Sequence, residues 1–245
     1  MWLVLSEPDD RSALWAWEGL KARGLDPIDI VTPQALVLAL GWEHRLGIAG
    51  NRTRIRLHTG KILDTTLLRG VLNRIGYLPP ALFARAAPDD RMYAMQEMNA
   101  LFLSWLSAIE SPVLNRPSPQ GLCGAWRHAS EWAALAARSE LPALPFRQSS
   151  LTEGWPAPRW CPPGAAARTV LVVAGDAIGS EVPEEIAAGC RRLTELAGLG
   201  IAGFEFVEGA GTGWLLAGVT PQPDLSAGGE PLLNSLFAAM HESPS

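Results

Sequence analysis

Residues 199–223 have the sequence LGIAGFEFVEGAGTGWLLAGVTPQP, in which two apolar stretches flank a glycine-rich segment. Glycine adopts the positive backbone dihedral angles of tight turns, so the glycines within residues 208–213 favour a turn. The apolar stretches on either side have the length and composition of β-strands. The sequence therefore predicts a strand pair, at residues 201–207 and 214–219, joined by this turn.

The segments around this pair alternate between strands and helices. Thr169–Ala174 predicts a strand, Val182–Ala197 a helix, and Gly229–Glu242 a final helix. The sequence AGDAIG at residues 174–179 has fewer glycines than a dinucleotide-binding fingerprint requires. We therefore interpret it as a strand-to-helix turn.

The first residues of the chain predict a small parallel α/β unit. Trp2–Leu5 predicts a buried strand, Asp9 and Asp10 can cap a helix that ends near Gly24, and Pro27–Val31 predicts a second strand. The sequence RIRLHTGKIL at residues 54–63 predicts a hairpin, and LLRGVLN at residues 67–73 predicts a central strand.

Two helices and a connector are predicted for the middle of the chain. A helix beginning at Asp89 carries apolar residues at helical spacing, which we interpret as core packing: Met92, Met95, Met98, Phe102, Trp105 and Ile109. Residues 128–140 predict a second amphipathic helix. Residues 141–168 contain six prolines, which predicts a connector without regular structure.

The composition is that of a globular protein, with 48% hydrophobic and 18% charged residues among 245. A formal net charge of −5 argues against nucleic-acid binding, and no apolar run reaches the roughly 18 to 20 residues of a membrane span. Three cysteines, an odd number with no two close in sequence, and four scattered histidines do not predict a disulfide framework or a metal site. The acidic start, without a basic signal region, predicts a cytoplasmic protein.

Several segments, taken in order, resemble motifs of the ATP-grasp superfamily, of the RimK-like or peptide-maturase type. The sequences VLNRP at 113–117 and SELP at 139–142 are similar to the step that leads into the nucleotide-binding part of that family. The sequence RTVLVV at 168–173 and the pair within 199–223 resemble its last strands. LRGVLNR at 68–74 is similar to its pre-ATP-grasp domain, so the resemblance covers most of the chain.

This resemblance implies an α/β fold with a small N-terminal pre-ATP-grasp-like α/β domain and a reduced ATP-grasp-like α+β domain. We place the first domain at residues 1–116 and the second, degenerate domain at residues 117–245, with the Pro/Trp-rich connector at 141–168. The family lid consists of several strands and a helix. Because only about twenty residues separate Leu144 from the strand that begins at Arg168, we predict that the lid is missing.

The family's magnesium and phosphate ligands are only partly present. In the family, Mg²⁺ is held by an acid on one strand and by a Glu-x-Asn pair on the next, and carboxylates are hard to replace at such sites. Glu205 matches the first acid, whereas Gly218 and Thr220 occupy the positions of the pair. The family's two phosphate-binding lysines have no counterpart, since the only lysines are Lys21 and Lys61. Arg127 lies near one of these positions and can either contact phosphate or simply begin a helix.

We therefore predict a non-catalytic ATP-grasp-like protein without cofactor, which binds a protein or peptide partner or serves as an accessory subunit, in a peptide-modification pathway by resemblance. The alternative is an ATP-dependent carboxylate–amine ligase that uses ATP and Mg²⁺ at an atypical metal site, with Glu205 and either Asp176 or Asp224. The candidate ligand-binding residues either hold an anionic ligand or dock a partner: Arg69, Arg74, Arg116, Arg127, Trp155 and Trp160. The alternative interpretation of the arginines is that they are solvated or ion-paired. The alternative interpretation of the tryptophans is that they cover the gap left by the missing lid. The oligomeric state is not predicted.

Overall fold

The computed structural model describes residues 1–48, 50–148, 150, 166–209 and 213–241. They form two compact units, one of Met1–Ala125 together with Asp224–Ser245 and the other of Trp126–Pro223. This grouping differs from the predicted division between residues 116 and 117, because the last helix packs within the first unit. None of the helices in the described ranges is long and apolar enough to cross a membrane.

The first unit is built on a four-stranded parallel sheet in the order β2-β1-β6-β7. Its strands are β1 (Trp2–Ser6), β2 (Ile28–Val31), β6 (Gly70–Arg74) and β7 (Val113–Leu114). All five residues of β1 and of β6 are buried, as expected of central parallel strands. Helix α1 (Arg11–Ala22) connects β1 to β2, and Asp10 caps it by accepting a hydrogen bond from Ala13 N at 2.9 Å. The predicted β-α-β opening is confirmed.

A three-stranded antiparallel sheet of β3 (Gly41–Gly47), β4 (Gly50–Arg56) and β5 (Ile62–Asp64) belongs to the same unit. It follows the short helix α2 (Pro33–Val37). The hairpin of β4 and β5 was expected from the sequence, whereas β3 was not.

Helices α3 (Pro88–Ser107) and α6 (Gly229–His241) complete the first unit, with 3₁₀ turns at Thr65–Leu67, Pro80–Phe83 and Leu225–Gly228. The predicted apolar stripe is core-facing in its second half, where Phe102, Trp105 and Ile109 are buried. Met92, in the first turns of α3, is 59% exposed, so the interpretation as core is wrong there.

The second unit contains an antiparallel sheet in the order β11-β10-β8-β9. Its elements are α4 (Ala129–Arg138), β8 (Ala166–Val173), β9 (Asp176–Ile178), α5 (Glu184–Ala197), β10 (Ile201–Gly209) and β11 (Gly213–Thr220). Side chains of α4 and α5 share a core with Phe204 and Phe206 of β10 and with Val170 and Val172 of β8. The predicted strand pair at 201–219 is confirmed as the β10–β11 hairpin.

The AGDAIG sequence at 174–179 forms a β-hairpin turn rather than the predicted strand-to-helix turn. Ala174 and Gly175 both have positive φ, 48° and 91°, and the chain then returns as β9, which pairs with β8. Helix α5 begins only at Glu184. The positive φ at two consecutive residues is the geometry that reverses a chain within a hairpin.

Candidate functional site

A cavity of about 630 Å³ lies within the second unit. Three segments line it: the residues around the start of α4, residues 143–147, and β11 with Val207 of β10. The lining is mainly apolar and includes Trp126, Trp132, Phe146, Val207, Leu216 and Val219. Such a concave, aromatic-lined surface is typical of a binding site.

Local capping and strand pairing fix two walls of this cavity. The His128 side chain accepts a hydrogen bond from Ser130 N, and Glu131 accepts one from His128 N at 3.0 Å, which together form a capping box at the start of α4. The Phe146 ring packs edge-on against His128, with ring centroids 5.7 Å apart. Leu216 of β11 then exchanges backbone hydrogen bonds with residues 142 and 144, at 2.8 and 2.9 Å.

Arg127 supplies a positive charge to the cavity wall. Its side chain is 23% exposed, its Nη1 lies 3.9 Å from Glu131 Oε1, and its guanidinium lies 5.9 Å from the centroid of the Trp132 ring. The Nε of Arg127 is buried and has no hydrogen-bond partner among the described residues. The exposed part of the guanidinium can donate charge-assisted hydrogen bonds to an acceptor such as a carboxylate.

The residues carried over as magnesium ligands come together in the sheet but do not form a ligand set. Glu205 of β10 is exposed and pairs directly with Gly218 of β11, where a Cβ would lie 3.6 Å from Glu205 Oε2. Gly218 has no side chain to offer an oxygen. Thr220 pairs with Gly203, and its hydroxyl accepts a hydrogen bond from Gln222 N at 3.1 Å. The two strands pair as neighbours, yet these residues do not fit a Mg²⁺ ion held by several carboxylate and amide oxygens.

The two other acids considered for the metal lie elsewhere. Asp176 is on β9, paired with Val173, whereas Glu205 pairs with Thr169 of β8, about 13 Å further along that strand at 3.3 Å per residue. Asp224 caps the 3₁₀ turn Leu225–Gly228 and accepts hydrogen bonds from Ser226 N and Oγ. Within the described residues there is no group of three His, Cys, Asp or Glu side chains that could hold a metal ion.

The three candidate arginines of the first unit flank its parallel sheet, with Arg69 at the amino end of β6, and Arg74 and Arg116 at the carboxyl ends of β6 and β7. Arg69 precedes β6 and stacks over the Trp2 ring at 5.2 Å, whereas Arg74 ends β6 and pairs with Asp10, with Nε and Oδ2 at 2.7 Å. Arg116 follows β7 and donates to the carbonyl oxygens of Ile109 and Ser111. The structure does not bring these residues together in one site. Their role in ligand binding stays a prediction.

Of the predicted ligand-binding residues that the structure describes, Arg127 is the one that lies in the cavity wall. Trp155 and Trp160 lie outside the described residues, as does most of the segment on which the prediction of a missing lid depends. The sequence did not single out Trp126, Trp132 or Phe146. The sequence signal that could have indicated this cavity is the position of these aromatic residues: one before the start of α4, one in its first turns and one after its end.

Comparison with known proteins finds neither a matching family model nor a matching curated protein. Solved structures do match over nearly the whole chain. The macrocyclase MdnC from Microcystis aeruginosa MRC, bound with precursor peptide MdnA, is 11% identical, with a TM-score of 0.71 over 98% of this chain and 99% of that one. A RiPP-associated ATP-grasp ligase from Chryseobacterium gregarium, in complex with ADP and a leader and core peptide, is 11% identical, with a TM-score of 0.70 over 97% and 95%.

The ATP-grasp ligase PsnB, complexed with a phosphomimetic variant of minimal precursor, Mg and ADP, is 19% identical, with a TM-score of 0.70 over 97% of this chain and 98% of that one. This chain has the ATP-grasp fold. The resemblance seen in the sequence is therefore confirmed, together with the α/β class.

Proposed function

We propose that this chain is a non-catalytic ATP-grasp-like protein that binds a peptide in the cavity beside β11 and acts as a binding or accessory component of a peptide-modification pathway. The proposal requires no metal or nucleotide. The observation that carries it is the pairing of Glu205 with Gly218, which leaves one carboxylate where the family uses several oxygen ligands.

The chemistry of the cavity supports a peptide as the occupant. Aromatic side chains such as Trp126 and Trp132 provide apolar contact area, and the partly exposed guanidinium of Arg127 provides a charged donor for a carboxylate. A peptide segment with an aromatic or aliphatic side chain next to an acidic one matches both features. Three similar structures contain precursor, leader or core peptides, which is consistent with this class of ligand.

Filling the cavity should abolish peptide binding. Ala133 lines the cavity, whereas its neighbour Ala134 on α4 is exposed and does not line it. On an array of random 12-residue peptides, we expect the unaltered chain to select peptides with adjacent aromatic and acidic residues. Ala133→Phe should lose this selection, and Ala134→Phe, which adds the same side chain, should keep it.

Arg127 should contribute specificity for the acidic residue. We expect Arg127→Gln to weaken binding of a selected peptide by about tenfold, and Arg127→Lys to recover part of the loss, since a charge-assisted hydrogen bond to a carboxylate is lost in the first variant. The absence of any selection on the array, or equal losses in Ala133→Phe and Ala134→Phe, would contradict peptide binding in the cavity.

The alternative function is an ATP-dependent ligase with an atypical metal site. It is favoured by the exposed carboxylate of Glu205, which one Mg²⁺ ion could use together with water ligands. This alternative predicts ATP hydrolysis that disappears in Glu205→Gln, a result that the proposed function does not expect.

A further inference from the structure

One face of the three-stranded sheet in the first unit carries a row of arginines. Arg52, Arg54 and Arg56 alternate along β4 and are exposed, while Thr53 and Ile55 between them are buried. Alternate residues of a strand point to the same face, about 6.6 Å apart. Arg45 of β3 pairs with Arg52 and therefore lies on this face as well. We call these four residues the basic face.

The basic face has fewer acids than arginines. Glu43 forms an ion pair with Arg45, and Asp64 accepts a hydrogen bond from Arg52 at 2.7 Å and lies 3.4 Å from Arg54 Nε. The side chain of Arg56 has neither a hydrogen bond nor an ion pair within the described part of the chain. Residues 41–64 contain five basic and two acidic residues, although the whole chain has a formal net charge of −5. The positive charge is thus concentrated on this sheet.

A hollow lies beside Arg56. Gly41 pairs with Arg56 across the sheet, and a Cβ on Gly41 would meet nothing within 4 Å. This hollow of about 320 Å³ is lined by Gly41, Trp42, Glu43, Arg54, Arg56 and Ile62; Ile62 is 46% exposed, and the Glu43 carboxylate is already paired with Arg45. The hollow therefore combines an unpaired guanidinium with an apolar surface, which suits the methylene groups and carboxylate of a glutamate side chain.

We propose that the basic face binds an acidic peptide segment in extended conformation, with carboxylates at alternate positions. Side chains at alternate positions of an extended peptide repeat at the same distance as Arg52, Arg54 and Arg56, so each carboxylate meets one guanidinium. An extended peptide fits better than a nucleic acid because the chain as a whole has a formal net charge of −5, which disfavours a long polyanion. This site is separate from the cavity of the second unit, and the inference holds whether or not that cavity binds a peptide.

Fluorescence anisotropy with labelled peptides on the full chain tests the inference. The probe is Gly-Glu-Thr-Glu-Thr-Glu-Gly, and the control is Gly-Glu-Glu-Glu-Thr-Thr-Gly, which has the same composition without the alternation. At low ionic strength we expect the alternating peptide to bind about tenfold more tightly than the control and to lose affinity as salt is added. Equal affinities for the two peptides would overturn the proposal, as would tighter binding of a twelve-residue oligothymidylate.

Matched charge reversals locate the site. Arg56→Glu should weaken binding of the alternating peptide by about tenfold or more, since it replaces an attraction with a repulsion. Arg85→Glu makes the same change at an exposed arginine outside the basic face and should alter the affinity less than about twofold. Arg56→Gln gives a second test if the reversal unfolds the sheet. Equal effects of the changes at positions 56 and 85 would contradict the proposed site.

The same measurement separates this inference from the proposed function. Ala133→Phe should leave binding of the alternating peptide to the basic face unchanged. If it abolished that binding instead, the peptide would be held by the cavity, and the inference about the basic face would be wrong.

Discussion

Among the single residues of the first unit, Asp64 has the most strongly perturbed acidity. A hydrogen bond from Arg52, aided by Thr66, holds the pKa of the Asp64 carboxyl at about 2, below its ordinary value of 3.8. The carboxylate is buried while the two arginines beside it are half exposed. Its ionised form is therefore more stable in the folded chain than in the unfolded chain.

The stabilisation that the Asp64 carboxylate provides should be lost at acidic pH. The contribution of Asp64 is fully present above its unfolded pKa and disappears as the pH falls through about 2, so the free energy of unfolding should fall between about pH 5 and pH 2. We expect Asp64→Asn to show a smaller fall across this range in urea unfolding. Glu97→Gln, at an exposed position of α3, should retain the slope of the unaltered chain. Identical slopes for Asp64→Asn and the unaltered chain would argue against this origin.

Residue identities alone predicted that Glu205, Gly218 and Thr220 lie on neighbouring strands, but not the contacts that the arginines make. Glu205, Gly218 and Thr220 lie on the two strands of one hairpin. Their proximity therefore follows from the pairing of adjacent strands. Arg74 and Arg116 make their hydrogen bonds to Asp10, Ile109 and Ser111. Partners of this kind depend on how separate elements pack, which no local pattern specifies.

At the scale of secondary-structure elements, Gly189 shows how closely α5 approaches the end of α4. A Cβ at Gly189 would lie 2.5 Å from Leu141 Cδ2 and 3.2 Å from the Ser139 carbonyl oxygen. Leu141 is itself buried in the core of the second unit, so it has little room to move.

Gly189→Ala should therefore destabilise the chain. Alanine is favoured over glycine in a helix interior by about 1 kcal/mol, yet overpacking costs about 1–3 kcal/mol, and we expect the steric term to dominate. Thermal unfolding of Gly189→Ala should occur at a lower temperature than that of the unaltered chain. In a Leu141→Ala background the same change should cost less, because the clash is gone. A higher unfolding temperature for Gly189→Ala would mean that α5 and Leu141 are not in close contact.

The elements that the sequence failed to predict depend on distant partners. β3 contains two glycines and two charged residues, Glu43 and Arg45. It is held by its pairing with β4 and by a hydrogen bond between His44 and Ser104 of α3 at 2.9 Å. The cavity likewise joins residues 126–147 to residues 207–219. Periodicity correctly predicted α4 and the β10–β11 hairpin, but it does not tell which aromatic side chains meet between them.

At the scale of the whole molecule, the chain ends in the unit in which it began. Leu225 N donates to Ser12 Oγ at 2.7 Å, and Trp2 Nε1 donates to the Met240 carbonyl oxygen at 3.1 Å, both across more than 200 residues of sequence. A helical pattern at residues 229–242 predicts a helix without telling which core covers it. The order of motifs was sufficient to predict the ATP-grasp fold, while the grouping of residues into units required the structure.

With Gly218 opposite Glu205, we expect this chain not to hold magnesium and nucleotide. Isothermal titration of the full chain with ATP, with and without Mg²⁺, tests it most directly. We predict no saturable binding tighter than about 100 µM, or about −5.5 kcal/mol, in either condition. Magnesium-dependent binding tighter than this, abolished by Glu205→Gln, would show that the site is a working nucleotide site and would contradict the claim.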